Sequence, residues 1–116
     1  MNFQDLTMDA DLMLCELYKL YLERRKDGTF KVDAKSFATH EIAESIFPDL
    51  LVPDVHETLR ELARADYLHL IEASGQVLQF TLAEKGIIYQ ESRFRRDLKK
   101  LVDFILKLRG FMIFIV

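Results

Sequence analysis

The hydrophobic repeat changes twice between Thr39 and Gly86, and few chain layouts accommodate both changes in so short a stretch. Up to about Asp66 the apolar residues keep helical spacing. Ile42, Ala43 and Ile46 form one short group; Val55, Leu59 and Leu62 form a second on one face, with Ala63 at its edge. From Leu68 the period is two: Leu68 and Leu70, a tight turn at Ser74-Gly75, then Leu78, Phe80 and Leu82. Helical spacing returns after Thr81. The boundaries carry their own signals. Thr39 is placed to cap the first short helix, which must stop before Phe47-Pro48 because the residue before proline avoids helical angles. Asp54, with Glu57 three residues on, has capping-box spacing for the second helix, and Thr81 with Glu84 has it for the next.

This order, a helix-turn-helix over 39–66 and a hairpin over 67–82, is the core of a winged helix. The expected fold class is mainly α (α+β), a winged helix-turn-helix with a long C-terminal helix over 83–109. The run Leu62-Ala63-Arg64-Ala65-Asp66-Tyr67-Leu68 resembles the end of a recognition helix entering the wing. Phe80-Thr81-Leu82-Ala83-Glu84-Lys85-Gly86 resembles the exit from the wing in MarR-like and PadR-like regulators and in the YjcQ family of small phage-like proteins. The layout matches from roughly Leu12 to Leu108, the residues only over those two motifs. The resemblance implies transcriptional or phage-related regulation linked to double-stranded DNA.

The remaining chain suits one domain of 116 residues. A first helix is expected over 9–26, started by Asp9 or Asp11 and stopped at Asp27-Gly28. Its apolar residues cover more than half of the circumference, wider than one core face requires. That width fits either a central helix or a dimer interface. Thr29 to Asp33 alternates and is expected to be a short strand paired with the hairpin. In the C-terminal helix Phe94, Leu98, Leu101, Ile105 and Leu108 fall on one side, and Arg93, Arg96, Lys100 and Lys107 on the other. Arg109-Gly110 is expected to end it, leaving an apolar tail over 110–116 that must be covered. A homodimer built on Leu14, Leu17, Tyr21, Leu101, Ile105, Phe111 and Phe114 would hide these surfaces. The single cysteine, Cys15, suits a reducing cytoplasm, and no charged-then-apolar leader is visible, so a cytoplasmic location is expected. The most apolar stretch, from Leu101 on, carries Asp103, Lys107 and Arg109 and is shorter than the ~20 residues of a span, which argues against a membrane role.

Enzyme chemistry finds no support, and no cofactor or metal is expected. His40-Glu41-Ile42-Ala43-Glu44 has Glu44 where a zinc helix needs its second histidine. His56 and His69 have no nucleophile at motif spacing, and Cys15 on an apolar helix reads as a core thiol. For DNA, the second helix of the pair would present His56, Arg60 and Arg64, with Arg93, Arg96 and Lys100 as backbone contacts. Charge opposes this. Residues 39–84 hold two Lys/Arg against nine Asp/Glu, a net −7, whereas 93–116 hold seven against two, a net +5. DNA affinity rests largely on neutralised phosphates. Glu57 and Glu61 also precede Arg60 and Arg64 by three residues, a spacing for intrahelical pairs. The rival reading is a protein-interaction adaptor with an acidic winged helix and a basic amphipathic C-terminal helix.

Overall fold

The computed structural model describes residues 6–115, with side chains as far as Phe111. The first helix, α1, runs Met8–Lys26 and is capped by Thr7, whose Oγ1 accepts from the Ala10 amide at 3.2 Å, not by Asp9 or Asp11. It ends where Gly28 takes a positive φ of 92°. There Gly28 N–H donates to the Arg25 carbonyl and Thr29 N–H to the Arg24 carbonyl, the paired bonds of a Schellman stop.

The expected strand over Thr29–Asp33 does not form. Lys31–Ala34 is a single helical turn, α2, and the short strand β1 comes later, at Ser36–Ala38. Burial explains the shift. Phe30 and Val32 stay 76% and 63% exposed, while Phe37 is buried with its ring 5.3 Å from Phe80. Arg24 holds the segment in place by donating to the Ser36 carbonyl at 2.8 Å, its guanidinium 4.6 Å above the Phe37 ring.

Two helices follow: α3, Thr39–Ser45, and α4, Val52–Arg64. Thr39 does not cap α3; it sits inside the first turn, its Oγ1 buried and without a hydrogen-bond partner among the described residues. Nor does Asp54 open α4 through a capping box. The helix begins two residues earlier, with Pro53 in its first turn, where a missing N–H costs nothing. The buried face of α4 is Val55, Leu59 and Leu62, as the spacing requires, with Thr58 beside them. Asp66 closes α4 at a φ of 67°, its amide and that of Tyr67 returning to Ala63 and Leu62.

The hairpin is β2, Leu68–Ala73, and β3, Gln76–Leu82, joined at Ser74-Gly75, both with positive φ as a type I′ turn demands. The sheet is antiparallel with order β1-β3-β2. A register shift at Ile71/Glu72 breaks the alternation: Ile71 faces Gln79 but Glu72 faces Val77, so Leu78 is the extra residue. Val77 is therefore buried in place of Leu78, which is 48% exposed.

The helix expected over 83–109 is two helices, α5 (Glu84–Phe94) and α6 (Leu98–Ile115). Thr81 stays in β3, and Ala83 is the residue before α5. Between α5 and α6 lies a turn with Arg95 at φ 54°, ψ −130°, closed by the Asp97 amide on the Phe94 carbonyl. Asp97 then caps α6 by accepting from the Lys100 amide at 3.1 Å. Gly110 does not end α6, which continues helically to Ile115.

Helix α1 is central, packing on α4, α5 and α6. Leu14, Leu17, Tyr21, Leu101 and Ile105, all expected at a dimer interface, are buried within their own chain. Phe111 is exposed, and the side chain of Phe114 lies outside the described residues. The wide apolar girdle of α1 is thus used internally.

Candidate nucleic-acid interface

The surface formed by α4 and the hairpin holds three of the six residues expected to meet DNA, and each already has a partner. His56 Nδ1 accepts from the Val77 amide at 2.9 Å, so the ring serves as an acceptor towards β3. Arg60 Nε lies 3.1 Å from Glu72 Oε1, and its Nη2 donates to the Gly75 carbonyl at 2.9 Å. His56 and Arg60 therefore fasten the hairpin to α4. Arg64 pairs with Glu57 at 3.1 Å, two turns back, with both side chains largely exposed.

The carboxylate pairing differs from what spacing alone suggests. Glu57 goes to Arg64 rather than Arg60, and Glu61 leaves the helix surface altogether. It accepts from both the amide and the hydroxyl of Thr7 at 2.8 Å. The Thr7 hydroxyl thus donates to α4 while accepting from α1, which ties the two helices end to face.

The other three expected residues do not act together. Arg93 points inward and binds Asp11 through both terminal nitrogens, at 2.7 and 3.2 Å, and Gln90 at 3.0 Å. Its guanidinium lies about 5 Å from the Tyr89, Phe94 and Phe104 rings. It is a packing residue and cannot also lie along a DNA backbone. Arg96 and Lys100 are exposed beyond the Arg95 turn, Arg96 at 3.7 Å from Glu91.

Behind Arg93 the network continues into the core. Gln90 is fully buried and donates to Cys15 Sγ at 3.3 Å. Burial, with Asp11 nearby, pushes the Cys15 thiol up to about 12. A thiol so held stays protonated and does not serve as a nucleophile at neutral pH. Tyr18 is likewise pushed up to about 12 by burial, and its hydroxyl donates to the Arg95 carbonyl. Among the described residues no group of three His, Cys, Asp or Glu is placed to hold a metal ion.

Comparison with protein-family models, with curated proteins and with solved structures finds no match. Among the described residues no helix is long and apolar enough to cross a membrane.

The residue that sequence reasoning valued least is Arg109, read there as a helix end. It donates to Glu16 at 2.5 and 3.0 Å and to the Ile46 carbonyl at 3.2 Å, joining α6 to α1 and to the end of α3. Its only local hint was Glu16, an acidic residue inside an otherwise apolar stretch of α1. Also missed were Arg25 and Lys26, which close α1 next to Arg96 and line a shared hollow.

Proposed function

We propose that the chain is a small winged-helix module of the regulatory type, acting in DNA-linked control with α4 as its recognition helix. The observation that carries this reading is the element order. A helix, a short strand, two helices and a hairpin fold so that the first strand pairs with the hairpin's second strand. That is the arrangement the MarR-like, PadR-like and YjcQ resemblance implies.

The ion pairs on α4 do not forbid DNA. Exposed pairs are worth about 0–1 kcal/mol, so Arg64 can exchange Glu57 for a phosphate at small cost. Arg60 is less free, because leaving Glu72 and Gly75 also loosens the hairpin. The excess of carboxylates around them still makes binding weak and strongly salt-dependent. The second reading, a protein-interaction adaptor, is favoured by one specific observation: all three candidate contacts on α4 are engaged within the chain.

Duplex binding measured at about 50 mM and 200 mM salt separates the two. The DNA reading expects binding at the lower salt that falls steeply at the higher, and a loss on Arg64→Ala without any change in the circular dichroism spectrum. Absence of binding to any duplex at the lower salt would leave the adaptor.

A further inference from the structure

Two exposed surfaces of opposite charge adjoin where α6 passes the end of α3. Arg109 marks their border: it donates to the Ile46 carbonyl at 3.2 Å, and its guanidinium lies 5.5 Å from the Phe47 ring. On one side is the link from α3 to α4. Residues 36–59 hold five Asp/Glu and no Lys or Arg. Four of the five, Glu41, Glu44, Asp49 and Asp54, are exposed and have no ion pair among the described residues. Leu51, 71% exposed, and Val52 stand between Asp49 and Asp54. On the other side is the outer face of α6. Residues 98–111 hold four Lys/Arg against one Asp. Lys99 pairs with Asp103 and Arg109 with Glu16, which leaves Lys100 and Lys107 exposed and unpaired among the described residues. These two lysines lie two turns apart on one side of the helix. Leu106, 62% exposed, stands one turn before Arg109, and the exposed Phe111 one turn after Lys107.

We propose that a second copy of this chain covers both surfaces at once, the α3–α4 link of each copy lying on α6 of the other across a two-fold axis. Leu51 and Val52 then meet Leu106 and Phe111, while the carboxylates of the link meet Lys100 and Lys107. Charge argues for a copy over other occupants. A DNA backbone or an anionic membrane suits the two lysines, but it would bring negative charge up to Glu44 and Asp49, two residues either side of the Ile46-Phe47 contact. A cationic peptide suits the link and leaves Leu106 and Phe111 in water. The chain itself carries both halves, acid with apolar and base with apolar. Because they adjoin across Arg109, one rotation satisfies both contacts and the assembly closes at two. The inference goes beyond DNA binding by α4 and does not rest on it, since Arg60 and Arg64 lie towards the other end of that helix and the pairing needs no DNA.

The test is sedimentation velocity on the full chain without DNA, from low to high micromolar concentration, with two charge reversals at exposed residues. Lys100→Glu with Lys107→Glu reverses the α6 face; Glu44→Lys with Asp49→Lys reverses the link. The unaltered chain is expected to pass from monomer to dimer and to stop there. Each double variant alone is expected to dimerise at least about tenfold more weakly, with its circular dichroism spectrum unchanged, because like charges then face each other at both contacts. An equimolar mixture of the two variants is expected to recover the dimer. In that pair one contact is native and the other has both charges exchanged. A chain that stays monomeric throughout, or one that grows beyond two, would overturn the proposal. So would a dimer indifferent to either reversal, which would place the pairing elsewhere, or a mixture that stays monomeric.

Discussion

Gly86 is where the two short motifs of the sequence meet. A β-carbon built there would stand 2.5 Å from the Tyr67 carbonyl oxygen, which is backbone and cannot rotate away. That same carbonyl accepts from the Ala83 amide at 3.0 Å, so the residue leaving α4 and the residue entering α5 are joined. Lys85 adds a contact 5.4 Å above the Tyr67 ring. Tyr67 and Gly86 are thus one structural unit though nineteen positions separate them. Gly86→Ala is expected to destabilise the protein by about 1–3 kcal/mol, the range for overpacking a tight site. Chemical denaturation checks this. Unchanged stability would mean that α5 can move off the hairpin without loss.

At the scale of elements, the break between α5 and α6 matters most, because it turns one expected helix into two that pack differently on α1. Arg95 holds φ 54°, ψ −130°, angles that glycine adopts freely and an L-residue does not. Its side chain is exposed and has no ion-pair partner among the described residues. Arg95→Gly is therefore expected to raise stability, by about 1 kcal/mol of relieved strain less the unfolded-state entropy glycine adds. A rise in melting temperature supports the turn. A clear fall would mean that the arginine side chain itself contributes. The hairpin is the contrasting case. Ser74-Gly75 supplies both positive φ values locally, and the turn forms where the sequence places it. The bulge at Leu78 is not local in this sense, since it follows from Val77 reaching the core.

Over the whole molecule, a radius of gyration of 13.5 Å is that of a compact domain of this length, about 13 Å. One copy buries the apolar girdle of α1, and Leu14, Leu17, Tyr21, Leu101 and Ile105 all lie within its own core. Stability should depend on alkaline pH. Cys15 and Tyr18 are raised from ordinary values of 9.0 and 10.0 to about 12 by burial. Groups raised in this way hold their protons in the folded state after the unfolded chain has released them. Their contribution is full below about pH 9 and is lost as pH climbs to about 12. The melting temperature is expected to fall across that window, less steeply in Cys15→Ala. Alkylation of the thiol at pH 8 should require unfolding. Rapid modification of the folded protein would contradict the burial of Cys15.

Local patterning was enough for α1, the helix pair, the hairpin turn and the buried stripe of α4, because each depends on neighbours within a turn or a pleat. It also exposed the charge imbalance between 39–84 and 93–116. What it could not decide was where charges and caps end up. Spacing put Glu61 beside Arg64, but the Thr7 amide is a better partner once α1 lies across α4. Arg93 reads as an exposed member of a basic face, and Arg109 as a helix end. Asp11 and Glu16, over 80 positions away in sequence, draw them inward. The position of β1 and the break at Arg95 have the same origin: Phe80 selects Phe37, and Tyr18 holds the Arg95 carbonyl. Periodicity is a property of adjacent residues, whereas the pairing of a charge, a ring or a carbonyl depends on which distant groups packing brings near.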